Sequence, residues 1–278
     1  MSRPDPLVLG LVGDPVSHSL SPRMHAAAFH ALGIAAEYRT VRVPADHPDE
    51  VEPALRALAS TGGGNVTLPH KQTAAAALDV ASEEVRLTGA CNCFWEDSRG
   101  RLCGDNTDVG GVLGALGELR GFRPRGARVL VLGAGGAARA AVVACARAGA
   151  ARVAVRNRDR GRAEALVASL VRDGGAALTV DDGGALDGRL DLVVQATSLG
   201  LLVGDPLPLR LDGLDVGSAL DLVYAPGGTA WTRHARAVGI DSVDGLRVLL
   251  HQGALSLARW LGSPPDAAVV RAMEEALA

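Results

Sequence analysis

The chain is poor in aromatic residues: Phe, Trp and Tyr together make up 3% of its 278 positions. That leaves few platforms on which the bases of single-stranded nucleic acid could stack. Neither sign of charge is in marked excess. Lys and Arg number 28 against 31 Asp and Glu, a formal net charge of −3, which supplies no general attraction to nucleic acid or to an anionic membrane surface. A basic pocket for a single phosphate is compatible with that balance. Long hydrophobic runs are missing as well. The longest apolar stretch, 127–151, is rich in glycine and interrupted by Arg139 and Arg147, whereas a membrane-spanning helix needs about 20 apolar residues. Pro4, Asp5 and Pro6 precede an apolar run of only residues 7–12, which is not the pattern of a secretory leader. Four cysteines do not make a disulfide framework in a chain of this length. These features lead us to expect a cytoplasmic protein. What is abundant is glycine, 35 residues without a triplet period, among 48% hydrophobic residues. Composition of that kind suits a turn-rich α/β protein, and the length suits two domains at roughly 100–200 residues each.

The hydrophobic pattern alternates between short runs and helical periods. Residues 7–12 read as a buried strand closed by the turn Gly13-Asp14-Pro15. Ser21-Pro22 reads as a helix N-cap followed by a first-turn proline, opening a helix to about residue 32. Strands are predicted at 38–43 and 65–67, and helical segments at 46–58 and from Pro69 through 74–77. Residues 91–95 and 101–103 form a hairpin around Asp97-Ser98-Arg99-Gly100, and 106–119 a helix. Beyond a break at 121–126, strands at 129–132, 153–157, 190–195 and 219–223 alternate with helices at 137–148 and 158–170. The tail, 246–261 and 265–277, is helical without a strand. The alternation predicts the α/β class with parallel sheets.

The sharpest local signal is Gly133-Ala134-Gly135-Gly136-Ala137-Ala138, which follows a predicted strand and opens a predicted helix. Gly133 permits the tight turn and Gly135 lets backbone approach a pyrophosphate. Ala138 packs the helix on the sheet, and the helix N-terminus receives the anion. At the end of the next strand a carboxylate for a ribose hydroxyl would be expected of an NAD site. Here stand Asn157 and Arg158, then Asp159, then Arg162. Arg158 and Arg162 share a helix face and form a clamp for a 2′-phosphate, which favours NADP. Asp159 would oppose that phosphate or accept from a ribose hydroxyl, so NAD stays open.

Four further clusters sit at strand ends and loops, where ligands gather in α/β sheets. They are Gly13-Asp14-Pro15-Val16-Ser17-His18-Ser19-Leu20-Ser21-Pro22, Asn65-Val66-Thr67-Leu68-Pro69-His70-Lys71, Gly89-Ala90-Cys91-Asn92-Cys93 and Gly104-Asp105-Asn106-Thr107-Asp108. An extended 19–21 segment would put both serine hydroxyls on one side, suited to a carboxylate. A metal site is not expected, since Cys91 and Cys93 lack the spacing of zinc cysteines, and His70 reads as a helix-start residue.

Taken in order, these clusters resemble the shikimate dehydrogenase family. Ala196-Thr197-Ser198, Asp221 with Tyr224 and Pro226, and Gln252 belong to the same resemblance, which covers nearly the whole chain. It implies reversible NADPH-dependent reduction of 3-dehydroshikimate to shikimate, on the route to aromatic amino acids. Lys71 and Asp108 would form the catalytic pair. Ser19, Ser21, Asn65, Thr67, Asn92, Tyr224 and Gln252 would hold the substrate. Gly133, Ala134, Gly135, Gly136, Ala137, Ala138, Asn157, Arg158, Arg162, Leu222 and Gly245 would hold the cofactor. The resemblance also implies a substrate domain, 1–108 plus 246–278, and a Rossmann-type nucleotide domain, 109–245, with the active site in the cleft between them. A small-molecule substrate is expected, with no nucleic-acid or membrane partner, in a monomer or homodimer. Three other readings are an NAD-accepting quinate/shikimate dehydrogenase, a catalytically idle nucleotide-binding regulator and a dehydrogenase of an amino-sugar-like analogue. Ser21 favours shikimate over quinate. The chain departs from the family pattern at Ala26, Cys93, Asp159, Gln195 and Leu201.

Overall fold

The computed structural model describes residues 7–170, 176–202 and 204–278; the Pro4-Asp5-Pro6 segment lies outside them. The chain divides into two compact units. One runs to Thr107 and resumes at Gln252, and the other is Asp108–His251.

In the first unit, β1 (Leu7–Gly13), β2 (Ala36–Arg42), β3 (Gly62–Val66), β4 (Val80–Ala81), β5 (Cys93–Glu96) and β6 (Leu102–Asp105) form one sheet, in the order β2-β1-β3-β5-β6-β4. β1 is flanked on both sides, by β2 and β3, which explains its unbroken apolar run. Val12, Leu55, Val66, Phe94 and Leu102 lie in the core between this sheet and α2 (Val51–Ala59). The sheet is mixed rather than parallel, because β5 pairs antiparallel with both β3 and β6. The predicted hairpin accounts for the difference. Asp97 Oδ1 accepts the backbone N–H groups of Arg99 and Arg101 at 2.9 and 3.1 Å, a side-chain-closed turn that sends the chain straight back.

Two helix starts differ from the reading of the sequence. α1 (Ser21–Ala31) begins at Ser21 itself, with Leu20 at the cap position and no capping side chain. α3 (Lys71–Ala76) begins two residues after Pro69, with His70 at its cap position. There the His70 Nε2 lies 2.8 Å from the Val43 carbonyl oxygen. The unit is completed by α4 (Glu83–Thr88), which the periodicity did not reveal because it is only six residues long.

The second unit has the strands β7 (Arg128–Leu132), β8 (Arg152–Arg156), β9 (Ala177–Val180), β10 (Leu190–Gln195), β11 (Val216–Asp221) and β12 (Asp241–Val243). Their order is β9-β8-β7-β10-β11-β12, and every pairing is parallel. The strand order reverses between β7 and β10, which is where a doubly wound sheet opens a crevice for a dinucleotide. α6 (Gly136–Arg147) and α7 (Arg160–Leu170) follow β7 and β8. α8 (Ala230–Ala237) escaped the sequence reading. Its only large apolar residue is the buried Trp231, and Thr229 caps it by accepting the Thr232 N–H at 3.0 Å.

α5 (Thr107–Glu118) and α9 (Gly245–Leu261) each begin in one unit and continue in the other. The second boundary falls within α9, at 251/252, rather than at 245/246. The reason is a cluster at the end of α5. Glu118 Oε1 accepts from Arg247 Nη2 at 2.8 Å and lies 2.6 Å from His251 Nε2, holding the first turns of α9 to the second unit. α10 (Ala267–Glu275) closes the chain, capped by Asp266. Among the described residues no helix is long and apolar enough to cross a membrane.

Candidate active site

In the first unit Asn65, Asn92, Thr107, Gln252 and Ser256 form one connected network. Asn65, at the end of β3, donates Nδ2 hydrogens to the Asn92 carbonyl and to Ser256 Oγ, both at 2.9 Å. Its Oδ1 accepts from the Tyr38 hydroxyl at 2.8 Å. Both amide hydrogens are thereby committed within the protein. Asn92 Nδ2 lies 3.0 Å from Thr107 Oγ1 and 3.2 Å from Gln252 Oε1, while its Oδ1 accepts the Thr107 N–H at 2.6 Å. Lys71 opens α3, and its carbonyl accepts the Cys91 N–H at 2.8 Å, which fixes the start of α3 beside the segment that carries Asn92. Asn65, Asn92, Thr107 and Gln252 are all buried, whereas Thr67 and Lys71 are half-buried.

Ser19 and Ser21 meet differently from the extended arrangement expected. Leu20 has right-handed helical angles, and the Ser21 N–H donates to Ser19 Oγ at 3.2 Å. Ser21, as the first residue of the helix, is turned inward to 6% exposure.

In the second unit the fingerprint glycines Gly133 and Gly135 differ in their surroundings. Gly133 has φ +115°, and a Cβ there would lie 2.6 Å from the Ala196 carbonyl oxygen, a double constraint that only glycine meets. A Cβ on Gly135 would meet nothing within 4 Å, so the backbone there faces open space. Ala134 and Ala138 are buried, while Gly136 and Ala137 are half-buried at the start of α6. The Arg139 N–H donates to the Gly135 carbonyl at 3.0 Å; the N–H groups before it, in the first turn, have no helical acceptor and are the kind that receive an anion.

Four arginines cluster where β8 meets α7, and two are spent. Arg156 pairs with the buried Asp181, and Arg160 pairs with Glu164 at 2.8 Å. Arg158 and Arg162 are exposed, and among the described residues no side chain pairs with them. Asn157 Nδ2 donates to the Asp159 carbonyl at 2.8 Å. The donor set therefore fits a dinucleotide: an open glycine cradle, free helix N–H groups and two uncommitted guanidinium groups.

Leu222 and Gly245 are also brought together. A Cβ on Gly245 would overlap the Leu222 carbonyl oxygen, and the Gly245 N–H donates to the Val223 carbonyl at 3.0 Å. The loop carrying Leu222 and Tyr224 hangs on Asp221, whose carboxylate accepts the Val223 N–H at 2.9 Å and the Thr229 hydroxyl at 2.7 Å. Burial pushes the Asp221 carboxyl up to about 6, against the opposing pull of those two bonds. Asp108 stands in the first turn of α5, where the helix dipole favours a carboxylate.

Sequence reasoning passed over Tyr38 and Ser256. Ser256 lies one helical turn beyond Gln252 and one before Arg259, whose Nε donates to Asp105 at 2.7 Å. Polar residues at 252, 256 and 259 make a stripe on α9, the signal that would have found it. Two departures also gain a structural account. Gln195 is fully buried; its Oε1 accepts the Thr197 N–H at 2.6 Å and its Nε2 donates to the Leu199 carbonyl at 2.7 Å. Cys93 is fully buried in the sheet, opposite Asn65 on one side and Asp105 on the other. Nothing in the structure explains Ala26 or Leu201. Among the described residues no three His, Cys, Asp or Glu side chains group as a metal site.

Three family models match the chain: the shikimate dehydrogenase substrate binding domain at 11–94, the shikimate / quinate 5-dehydrogenase model at 118–203, and the shikimate 5′-dehydrogenase C-terminal domain at 245–277. A shikimate dehydrogenase (NADP(+)) of Rubrobacter xylanophilus is 43% identical over 270 residues, covering 95% of this chain and 94% of the relative. The crystal structure of a shikimate 5-dehydrogenase from Thermus thermophilus, in complex with NADP(H) and shikimate, is 38% identical with a TM-score of 0.82, covering 98% of each chain. A shikimate dehydrogenase solved in complex with NADP+ is 31% identical with a TM-score of 0.85, covering 100% of this chain and 96% of that one. Such identity over nearly the whole chain means that this chain belongs to the shikimate dehydrogenase family.

Proposed function

We propose that the protein catalyses the reversible reduction of 3-dehydroshikimate to shikimate with NADPH. The observation that carries this reading is Lys71. The chain has 27 arginines and one lysine, and that lysine opens α3 beside Asn92. A guanidinium stays protonated at any working pH, whereas an ammonium can give up and regain its proton.

The cofactor, when bound, supplies hydride to the ketone or accepts it from the alcohol. Gly133–Ala138 and the α6 N-terminus hold its diphosphate, and Arg158 and Arg162 clamp its 2′-phosphate, with Asn157 beside them. Leu222 and Gly245 pack against it through backbone. Lys71 and Asp108 act as one proton-holding unit: the ammonium donates to the ketone oxygen during reduction, and the same unit takes the hydroxyl proton during oxidation. Ser19, Ser21 and Tyr224 bind the substrate carboxylate. Thr67, Asn92 and Gln252 meet the ring hydroxyls, and Asn65 adds its Oδ1. The four cysteines are free, buried thiols, which supports a reducing, cytoplasmic setting. The near-neutral charge balance supports a small-molecule substrate without a nucleic-acid partner, handled by a monomer or homodimer.

The test is shikimate oxidation followed by absorbance of the reduced nicotinamide, with NADP and NAD side by side and quinate as the control substrate. Strong turnover with shikimate and NADP is expected. No turnover with either cofactor overturns the reading.

A further inference from the structure

We propose that Ser256 is a positioning residue for shikimate, acting through Asn65 and Thr107; this role rests on the substrate reading above. Ser256 is fully buried, so it touches no ligand itself. Its hydroxyl nevertheless stands where the two halves of the polar network join. On one side it accepts an Asn65 amide hydrogen at 2.9 Å. On the other it lies 3.0 Å from Thr107 Oγ1, which is 3.0 Å from Asn92 Nδ2 and 3.4 Å from Gln252 Oε1.

The geometry fixes orientation as well as position. The Asn65 amide can be placed only one way round, because the Asn92 carbonyl accepts and the Tyr38 hydroxyl can donate to Oδ1. Ser256 takes the second Nδ2 hydrogen, completing a three-point clamp on that amide. Being four residues beyond Gln252 on α9, it also sets the rotation at which Gln252 faces Asn92. Without the Ser256 hydroxyl, a buried amide hydrogen is left unpaired, and Asn65 and Thr107 lose their common partner. Groups that meet the substrate equally in the ground and transition states affect KM rather than kcat.

The experiment is steady-state kinetics of the full-length enzyme with shikimate and NADP, for Ser256→Ala, Tyr38→Phe and the double variant, with melting temperature measured alongside. Ser256→Ala is expected to raise KM for shikimate about fivefold while kcat and KM for NADP stay within twofold. Tyr38→Phe, which deletes one oxygen from the opposite side of the Asn65 clamp, is expected to do the same. Because both act through one amide, the double variant should raise KM by less than the product of the two single effects. A lower melting temperature with unchanged KM for shikimate overturns the role, and so does an equal rise in both KM values. If Ser256→Ala does not fold, an unchanged KM in Tyr38→Phe overturns the Asn65 clamp, and a raised one supports it. Absence of wild-type turnover overturns the substrate reading, and this role with it.

Discussion

Asp159 Oδ1 accepts the backbone N–H of Arg162 at 3.3 Å. The carboxylate that the sequence sets against the two free arginines is turned to the end of α7, where it serves as a helix cap. Capping of that kind needs an acceptor, not a charge. Asp159→Asn should therefore leave the ratio of kcat/KM for NADP over NAD within about threefold, whereas Arg158→Ala should lower it by at least about tenfold. A gain of tenfold or more in NADP preference for Asp159→Asn would show that the carboxylate faces the phosphate instead.

Lys71→Ala should lower kcat by about 10²–10⁴, the range supplied by a positioned acid or base, with little change in KM. Because Lys71 is the single lysine, an amine-reactive reagent has one side chain to find. It should inactivate the enzyme with one side-chain label, located by peptide mass, and shikimate should protect. Full activity after labelling would remove Lys71 from the mechanism.

The fingerprint glycines should separate folding from binding. Gly135→Ala meets open space, so the variant should melt near the wild-type temperature yet bind NADP at least tenfold more weakly by calorimetry. Gly133→Ala is strained by its positive φ and by the Ala196 carbonyl, and should lower the melting temperature itself. Equal loss of stability in both would deny Gly135 a ligand role.

His25 is fully buried, stacked on Tyr38 with ring centroids 4.6 Å apart, and among the described residues neither ring nitrogen has a hydrogen-bond partner. Burial pushes its imidazole down to about 3 from 6.5. The unfolded chain therefore binds a proton below pH 6.5 that the folded one refuses, and stability is lost as pH falls through that window, by about 2 kcal/mol at pH 5. His25→Phe should keep the stacking and shrink the difference in melting temperature between pH 7.5 and pH 5. An unchanged difference would mean that the ring takes up its proton in the folded state.

Asp221 works in the opposite direction. Its carboxyl is raised to about 6 from 3.8, so its contribution is fully present below 3.8 and is lost as pH rises through 6, by up to about 3 kcal/mol. Relative to wild type, Asp221→Asn should gain stability between pH 4 and pH 7. A pH-independent difference between the two proteins would refute the shift.

Much of this was legible in the sequence, for identifiable reasons. The β7-glycine-α6 segment has a strand period, a turn that tolerates only glycine and a helical period in immediate succession, so local signals alone define it. Lys71, Asn92 and Asp108 sit in short polar runs that interrupt apolar ones. Other features depend on atoms far apart in the chain. Asn65 meets Ser256 across 191 positions, and no local pattern announces that both amide hydrogens are committed. The mixed sheet follows from a side-chain-closed turn at Asp97, and α4 and β4 are too short to show a period. The Asp159 carboxylate could be read as facing phosphate or helix until the helix start was placed.

The order of the two units along the chain has a consequence for biosynthesis. The nucleotide unit is an uninterrupted stretch inserted between the two parts of the other. On the ribosome it emerges whole, while the amino-terminal sheet still waits for α9 and α10. Asn65, Asn92 and Asp105 have no Gln252, Ser256 or Arg259 to meet until residues 252–259 have emerged. The polar network of the first unit is thus completed only after the whole inserted unit has been made, and loss of residues 252–259 would damage the half made first.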